Sequence, residues 1–433
     1  MKVLLLGLGR ANLPVARYLI QKGDDVYLYE DNVLQLSETA QALIKAGKIN
    51  MHDADDYNLV ISSPGFPPHK PIIKEMIQKN VPIIDEIEFT YSQLSNPKII
   101  AVTGTNGKST TTALISNILS MAGIDNFQGG NIAPGMPFSQ ALFMKKFPYY
   151  VLEISSFQLM RIKHFHPSIA ILTNIAIDHL NWHVDFEEYK FAKLNIFLNQ
   201  NKEDFAILNF EDKVVRGLAK NIKAKVIFFG PEVTSGVCVN RDFYYYQDKL
   251  FSSANMPLAG RHNLMNIAAA IAVAKILNIA NETIERGIRD FKSLPHRLEE
   301  VGTINGMRYI NNSMCTNEEA AMASFAAVPD PKVVLVGGKY KGAKGQNYLN
   351  LLIKEAKACV ILGENADDIA AYFKSKGFHH FKIAKDMLDA VKKAQGFAVP
   401  GDVILLNPGF ASFDYFVNFE ERGEAFKNAV HRN

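Results

Sequence analysis

The sequence predicts an α/β protein of three domains, and three observations support this prediction. The length of 433 residues corresponds to about three domains of roughly 150 residues each. Short apolar segments alternate with helical segments along the chain, a pattern typical of parallel, doubly wound sheets. A glycine-containing loop ending in Lys-Ser-Thr stands between a predicted strand and a helix. We therefore expect a Rossmann-like domain over residues 1–93, a central P-loop ATPase-type parallel sheet over 94–297, and a Rossmann-like domain over 298–433.

The composition excludes several classes of protein. Lys and Arg total 47 against 44 Asp and Glu, so the formal charge of +3 gives no reason to expect a nucleic-acid partner. The cysteines Cys238, Cys315 and Cys359 form no CxxC pair, which favours reduced thiols over a disulfide framework or a zinc site. No run of about 20 apolar residues and no cleavable leader is visible. We expect a cytoplasmic protein without membrane insertion.

The first domain begins with a glycine-rich turn between a strand and a helix. Gly7 and Gly9 would let the backbone approach a phosphate group. Asn12 replaces the third glycine of a dinucleotide fingerprint, although Glu30 follows at a distance that also suits an NAD-binding fold. A dehydrogenase-like interpretation of this half stays open but leaves the second loop unexplained. The predicted βαβ elements are a strand at Val3–Leu6, a helix at Asn12–Gln21 and a strand at Val26–Tyr29.

The second loop predicts a phosphate-binding site. Free backbone N–H groups and the helix dipole at the start of the following helix would cradle phosphate. Lys108 would neutralise the terminal phosphates of ATP, and the Ser109 hydroxyl would reach a magnesium ion. Val102 stands where the general P-loop has its first glycine, but the order of strand, loop and helix favours ATP binding over a chance turn. The predicted ATP contacts are Gly104, Thr105, Asn106, Gly107, Lys108, Ser109 and Thr110.

Polar residues follow two further predicted strands. The strand at Tyr149–Leu152 is followed by Glu153, and the strand at Ile169–Thr173 runs into a loop with His179. A strand-end carboxylate beside a P-loop can hold magnesium, although an exposed acid or a structural histidine is the ordinary alternative for each residue alone. Lys193 lies on a predicted helix, where a surface lysine would be the usual interpretation.

Together these motifs resemble the Mur ligase family, whose members are ATP-dependent ligases that join a carboxylate to an amine. The resemblance extends over the whole chain. It implies a three-domain fold, with closure of the third domain excluding water from the reaction. It is carried by the segments 103–110, 178–179, 189–193, 260–266 and 295–297, together with Glu153.

Within the family, the chain most resembles the members that add D-glutamate to UDP-N-acetylmuramoyl-L-alanine. The resemblance therefore implies these two substrates, a monomer, and a role in peptidoglycan precursor synthesis and hence in cell-wall biogenesis, cell shape and cell division. It further implies that ATP first phosphorylates the alanyl carboxylate and that the amino group of D-glutamate then attacks the acyl phosphate. The segments that carry this resemblance are 62–65, 152–159, 411–414 and 418–423.

The resemblance also implies roles for individual residues. Lys193 would be carbamylated by carbon dioxide and so become a magnesium ligand, and Lys108, Glu153, His179 and Lys193 would form the catalytic set. The implied ligands of two Mg²⁺ ions are Ser109, Glu153, His179 and Lys193. The further ATP contacts are Asn263 and Asn266 for adenine and Arg297 for phosphate. The implied contacts of the uridylated substrate are Gly9, Ser63, Gly65, Asn131, Ser155 and Gln158. Those of D-glutamate are Thr316, Lys341, Ser412 and Phe419.

The third domain departs from the family pattern at several positions. Asn312 and Met314 stand where the family has Asp and Lys, and Lys339 stands where an acid is usual. The segment from Asn407 to Phe410 replaces small residues. Extra cations would suit an acidic amino acid. Three hypotheses stay open: the D-glutamate ligase, a paralogous ligase with another amino acid or acceptor, and a nucleotide-binding protein that has lost ligation.

Overall fold

The computed structural model describes residues 1–53, 56–132, 135–178, 182–254, 256–258, 260–340 and 344–432. They form three β-sheets flanked by helices. The first two sheets belong to one compact unit, which includes Met1–Ile177, and the third sheet belongs to a second compact unit, which includes Phe291–Asn433. The predicted fold class is confirmed.

The first sheet is parallel throughout, with the strand order β3-β2-β1-β4-β5. Residues 3 to 6 of its central strand are apolar and buried, as expected for a strand covered on both faces. The strands are β1 (Lys2–Leu6), β2 (Asp25–Tyr29), β3 (Asn50–Met51), β4 (Leu59–Ser62) and β5 (Ile83–Asp85). The helices are α1 (Asn12–Lys22), α2 (Glu38–Lys45), α3 (Pro71–Gln78) and α4 (Glu86–Gln93), with a 3₁₀ turn at Val33–Gln35.

The second sheet has nine strands in the order β14-β13-β12-β11-β10-β9-β6-β8-β7. Strands β6 to β12 pair in parallel, whereas β12, β13 and β14 form an antiparallel extension. The strands are β6 (Ile99–Thr103), β7 (Asn126–Gly130), β8 (Tyr149–Glu153), β9 (Pro167–Leu172), β10 (Phe205–Asn209), β11 (Lys225–Gly230), β12 (Gly236–Val239), β13 (Asp242–Tyr245) and β14 (Asp248–Ser252).

The described residues of this part of the chain form six α-helices. A helix that begins at the carboxyl end of a central strand has its amino terminus at the sheet edge where ligands bind in such folds. The helices are α5 (Lys108–Met121), α6 (Ser156–Leu159), α7 (Phe186–Leu194), α8 (Lys213–Leu218), α9 (Arg261–Ile276) and α10 (Asn281–Arg289). The 3₁₀ turns are Phe138–Phe143, Asn195–Phe197 and Ala219–Asn221.

The third sheet has the order β15-β16-β20-β17-β18-β19, and only the pair β15 and β16 is antiparallel. Apolar residues of both faces form separate buried clusters against the flanking helices. The strands are β15 (Glu299–Ile304), β16 (Met307–Asn311), β17 (Lys332–Val336), β18 (Ala358–Ile361), β19 (Phe381–Ile383) and β20 (Val403–Leu406). The helices are α11 (Glu318–Ala327), α12 (Gln346–Glu355), α13 (Ala366–Ser375), α14 (Met387–Gln395) and α15 (Phe419–His431).

Two sequence expectations concern the whole chain. Among the helices that the structure describes, none combines the length and the apolar character needed to cross a bilayer. The three cysteines are free thiols, and Cys315 and Cys359 are buried whereas Cys238 is half-buried.

Buried carboxyl groups lie where the first sheet meets the second, within one compact unit. Asp85 and Glu86 are fully buried; Arg161 contacts Asp85, and the backbone N–H of Ser139 donates to Glu86. The neighbouring Glu88 accepts hydrogen bonds from three consecutive backbone N–H groups, those of residues 163 to 165. Burial raises the pKa of Asp85 and of Glu86 to about 7 in each case.

The raised pKa of Glu86 predicts a pH-dependent stability. Its carboxyl group has an ordinary pKa of 4.5, so the folded protein binds more protons than the unfolded chain between about pH 4.5 and pH 7. Stability should therefore fall as the pH rises through this window. Because Gln does not titrate, Glu86→Gln should lose less stability than the wild type between pH 5 and pH 8, by at most roughly 3 kcal/mol.

Urea unfolding at pH 5, 6, 7 and 8 measures this difference. Glu203→Gln is the control, because the side chain of Glu203 is 74% exposed and the change should leave the wild-type pH dependence in place. Equal pH dependence in Glu86→Gln and the wild type would contradict the prediction.

Candidate active site

The loop between β6 and α5 has a backbone conformation that requires glycine at two positions. Gly104 has a φ of +147°, and a Cβ atom there would lie 1.9 Å from Oγ1 of Thr173. Gly107 has a φ of +85° at the start of α5, and a Cβ atom there would lie 2.3 Å from Oδ1 of Asn266. The loop is thus packed closely against its neighbours, and its backbone leads into a helix amino terminus, where anions bind.

Residues after β9 hold this loop in place. The backbone N–H of Asn106 donates to Oδ1 of Asn174 at 2.8 Å, and Nδ2 of Asn174 donates to the carbonyl of Asn106 at 3.0 Å. The hydroxyl of Thr173 also donates to that carbonyl, at 2.6 Å. Within the loop, Nζ of Lys108 donates to the carbonyl of Thr105 at 2.9 Å. These bonds fix the loop before any ligand binds.

The predicted nucleotide contacts beyond the loop lie in two compact units. Ser109 and Thr110 are buried in the first turn of α5. Asn266 lies on α9, where its Oδ1 accepts a hydrogen bond from the hydroxyl of Thr111 at 3.3 Å and contacts the loop at Gly107. Asn263 stands about one turn earlier on the same helix.

The third predicted contact, Arg297, belongs to the second compact unit. Its Nη2 donates to Sδ of Met314 at 3.0 Å. Burial, together with the positive charge of Arg297, lowers the pKa of His262 to about 4. His262 is therefore neutral at physiological pH.

Glu153 stands at the same sheet edge as the loop. It is the last residue of β8 and pairs with Val102 of β6, immediately before the loop. The side chain is 2% exposed, and its Oε1 accepts a hydrogen bond from Nδ2 of Asn131 at 3.0 Å. Oε2 is buried, and within the described ranges no donor is bonded to it. A buried carboxylate oxygen of this kind is suited to binding a cation.

Lys193 is buried rather than solvated. It is 2% exposed on α7, and its Nζ donates to the carbonyl of Gly104 at 2.7 Å. The same nitrogen lies 4.6 Å from the centroid of the Tyr189 ring, whose hydroxyl is bonded to the hydroxyl of Thr105 at 2.9 Å. The usual interpretation of Lys193 as a surface residue is therefore wrong, and the structure brings it to the phosphate-binding loop.

The residues present are compatible with a divalent cation. Ser109, Glu153 and Lys193 are all buried beside the loop, whereas His179, the fourth predicted ligand, lies outside the described residues. In the part of the chain that is described, no three His, Cys, Asp or Glu side chains form a metal-binding group. A magnesium site would thus use the Glu153 carboxylate together with a hydroxyl and groups of other types, which is compatible with the oxygen preference of this ion.

The predicted substrate residues Ser155 and Gln158 form a capping box at the start of α6. Next to them, the hydroxyl of Ser156 lies 3.0 Å from Nε2 of His183, and Nδ1 of His183 lies 3.5 Å from Oε2 of Glu188. Burial lowers the pKa of His183. This Ser-His-Glu series connects α6 with α7, the helix of Lys193. These contacts were not predicted from the sequence, because a single histidine in a loop forms no recognisable pattern of spacing with its partners.

The first sheet brings together the predicted residues of its own domain. Gly9 follows β1, and Ser63 and Gly65 follow the adjacent strand β4, so all three lie at one sheet edge. Asn12, which replaces the third glycine, is buried, and its Nδ2 donates to the carbonyls of Gly7 at 3.0 Å and of Ile61 at 3.2 Å. Asn12, which stands in place of the third glycine of the fingerprint, thus connects strand β4 with the chain that follows β1.

In the second compact unit, Thr316, Ser412 and Phe419 follow adjacent strand ends. Thr316 lies after β16, and Ser412 lies after β20, which pairs with β16 in parallel. Ser412 is 1% exposed, and Phe419 is the first residue of α15. Lys341, which follows the next strand β17, lies outside the described residues.

Two of the departures from the family pattern contact each other, and a third forms an ion pair. Nδ2 of Asn312 donates to Oδ1 of Asn407 at 2.8 Å, and Nδ2 of Asn407 in turn donates to the carbonyl of Ala321 at 2.9 Å. Nζ of Lys339 lies 3.2 Å from the carboxylate of Glu364. This ion pair offsets the extra positive charge that the sequence predicted from Lys339.

Family models of known proteins match three parts of the chain. Residues 1–85 match the family model of the Mur ligase MurD-like N-terminal domain. Residues 102–274 match that of the Mur ligase middle domain, and residues 296–410 match that of the Mur ligase glutamate ligase domain.

Curated relatives are similar over nearly their whole length. The chain is 36% identical to the UDP-N-acetylmuramoylalanine–D-glutamate ligase of Alkaliphilus metalliredigens, covering 99% of this chain and 97% of the relative. It is also 36% identical to the enzyme of the same name from Clostridioides difficile, covering 99% of this chain and 98% of the relative.

Solved structures share the fold. The ligase MurC of Thermotoga maritima has a TM-score of 0.66 at 20% identity, with 100% of this chain and 99% of that chain covered. The ligase MurF of Thermotoga maritima, solved in complex with ADP, has a TM-score of 0.64 at 17% identity. The match covers 94% of this chain and 96% of that chain.

Proposed function

The chain belongs to the Mur ligase family, and from this premise we propose that it joins the alanyl carboxylate of UDP-N-acetylmuramoyl-L-alanine to the amino group of D-glutamate with the use of ATP. The relatives that are 36% identical over nearly the full chain carry this activity in their names. The observation that carries the proposal is the meeting of the phosphate-binding loop, Glu153 and Lys193 at one edge of the second sheet.

The nucleotide and its metal would be held at this edge. The backbone of residues 104 to 108 would bind the phosphates, and Lys108 would offset their charge. Ser109, Glu153, His179 and Lys193 are the proposed ligands of two Mg²⁺ ions, which would stabilise negative charge on the transferred phosphoryl group. The unpartnered Oε2 of Glu153 supports a cation there. Asn263, Asn266 and Arg297 are the proposed contacts of the rest of the nucleotide.

Burial supports the proposal that Lys193 is carbamylated. An ammonium group at 2% exposure bears a desolvation cost, and the Nζ of Lys193 lies beside the carbonyl of Gly104 and the ring of Tyr189. Addition of carbon dioxide to the neutral amine, with loss of one proton, would replace this cation with a carbamate anion. Such an anion has two oxygen atoms for a hard cation such as Mg²⁺.

The proposed reaction has two steps, in which every bond is accounted for. A carboxylate oxygen attacks the γ-phosphorus of ATP, so an acyl phosphate forms and ADP leaves. The nitrogen of D-glutamate then attacks the acyl carbon, phosphate leaves with the oxygen of the former carboxylate, and the nitrogen loses its proton. Exclusion of water protects the acyl phosphate meanwhile.

The uridylated substrate and the domains complete the proposal. Gly9, Ser63 and Gly65 are proposed to hold the uridine end, and Asn131, Ser155 and Gln158 the part nearer the reacting carboxylate. The proposed domain boundaries are 1–93, 94–297 and 298–433. Both nucleotide substrates belong to the cytoplasm, so we infer a cytoplasmic location, and we retain the monomer as part of the proposal.

A second candidate is a ligase of the same family that uses another amino acid. Asn312 and Met314 favour this candidate, because they lack the charges of the Asp and Lys that the family has at these positions. Both replacements are nevertheless accommodated, because Asn312 is bonded to Asn407 and Met314 to Arg297. D-glutamate therefore remains the first candidate, with Thr316, Lys341, Ser412 and Phe419 as its proposed contacts.

The proposal predicts a specific requirement for D-glutamate. Purified protein with ATP, Mg²⁺ and UDP-N-acetylmuramoyl-L-alanine should release phosphate when D-glutamate is added, and the mass of the product should equal that of the expected amide. Lys108→Ala, purified in the same way, controls for contaminating ligases and should release none. Activity with a different amino acid alone would select the second candidate, and no activity with any amino acid would overturn both.

The carbamate predicts a chemical rescue. Lys193→Ala should lose on the order of 100-fold or more in kcat, because a metal ligand beside the transferred group is missing. Added short-chain carboxylic acids should restore part of the activity, since their carboxylate can occupy the vacated space.

Lys190→Ala is the matched control for this rescue. Lys190 lies on the same helix and is paired with Glu187, so its loss should leave kcat near the wild-type value. Full activity of Lys193→Ala, or equal stimulation of both variants by the acids, would refute the carbamate.

A further inference from the structure

A buried arginine in the second compact unit has no role in the proposed reaction so far. Arg422 lies in the first turn of α15 and is 3% exposed. A cation is unfavourable at a helix amino terminus, and burial adds a desolvation cost. Among the residues that the structure describes, no carboxylate forms an ion pair with it. Its placement therefore needs another explanation.

The guanidinium group joins the segments that carry the predicted amino-acid contacts. Its Nε donates to Oγ of Ser313 at 3.0 Å and its Nη2 to the carbonyl of Ser313 at 2.8 Å. Its Nη1 donates to the carbonyl of Phe410 at 3.1 Å. Ser313 lies three residues before Thr316, and Phe410 lies two residues before Ser412. One planar group thus connects the chain after β16 with the chain after β20.

Two further contacts extend this connection. Oγ of Ser313 donates to the carbonyl of Phe419 at 2.7 Å, so the first residue of α15 is included. After β17, a Cβ atom on Gly338 would lie 3.2 Å from Nη1 of Arg422. The next residue, Lys339, exchanges two backbone hydrogen bonds with Ala411, at 2.8 and 3.1 Å. Arg422 therefore contacts or indirectly connects all the strand ends from which the predicted contacts arise.

The charge of this group also fits an acidic ligand. Burial lowers the pKa of Arg422 to about 10 and the Asp414 carboxylate opposes this shift, so the guanidinium stays cationic at neutral pH. A fixed positive charge in a protein interior acts over a longer distance than one in water. An amino-acid site close to Arg422 should therefore favour an anionic amino acid over a neutral one.

We propose that Arg422 is the positioning residue of the amino-acid site, holding the segments of Thr316, Ser412 and Phe419 in register and favouring an amino acid with a second carboxylate. The inference rests on the proposed function, because it assumes that these segments bind the amino acid. It concerns only the second half-reaction. ATP and the uridylated substrate should form the acyl phosphate without it.

The test is steady-state kinetics of the full-length Arg422→Lys variant, which keeps the charge but cannot make all three hydrogen bonds in one plane. The KM for D-glutamate should rise on the order of 10- to 100-fold, as expected for a displaced binding group. The KM values for ATP and for UDP-N-acetylmuramoyl-L-alanine should stay within about 2-fold of wild type. The acyl phosphate trapped by hydroxylamine without amino acid should also be unchanged.

Lys332→Gln is the matched control for loss of a buried cation. Lys332 is 2% exposed at the start of β17, the opposite edge of the same sheet, where it pairs with Asp330 at 2.7 Å. Its loss should lower the melting temperature and leave the KM for D-glutamate unchanged. Arg422→Gln, as a second variant, should in addition lose part of the preference for D-glutamate over D-glutamine.

Several outcomes would overturn the inference. They are an unchanged KM for D-glutamate in folded Arg422→Lys, a parallel rise in all three KM values, or an equal rise in Lys332→Gln. Wild-type activity with another amino acid would overturn the D-glutamate proposal alone, and the KM comparison would then be made with that amino acid. Wild-type inactivity with every amino acid would overturn both.

Discussion

The candidate active site depends on the close approach of three elements at Gly104, a residue without a side chain. A Cβ atom on Gly104 would overlap the hydroxyl of Thr173, which follows β9. The carbonyl of Gly104 accepts a hydrogen bond from Lys193 of α7. The strand order places further residues at this site, because β8 and β9 lie on either side of β6. Parallel neighbours end at one edge, so Glu153 and Asn174 lie beside the loop. The buried lysine is thus a consequence of how the loop packs.

The third sheet is organised by the same rule but stabilised differently. Its predicted contacts also follow parallel strand ends, yet the segments are held by buried polar side chains rather than by a glycine loop. Asn312 and Asn407 bond to each other, and Arg422 bonds to the chain at Ser313 and Phe410. Buried donors and acceptors are costly unless paired. The replacements at 312 and 407 therefore satisfy each other's polar groups.

The sequence predicted the parts that depend on local pattern and on family resemblance. The predicted strands Val3–Leu6, Val26–Tyr29 and Tyr149–Leu152 agree with the structure to within one residue, because apolar runs bounded by turns are strong signals. The antiparallel strands β12 to β14 were missed, since they carry few apolar runs. The partners of His183 and Arg422 lie 27 and 109 residues away in sequence, so spacing could not reveal them. The membership in the Mur ligase family is confirmed, whereas the residue roles stay predictions.

The central claim is that the edge beside Gly104 transfers phosphate to a carboxylate, and an isotope experiment tests it most directly. The terminal carboxylate of UDP-N-acetylmuramoyl-L-alanine is labelled with ¹⁸O at both oxygens, and the phosphate released during amide formation is analysed by mass. Phosphate that carries one ¹⁸O atom per turnover, with the second retained in the amide, is the predicted result. Amide formation with unlabelled phosphate would contradict the account, because the carboxylate oxygen would then never have been bonded to phosphorus.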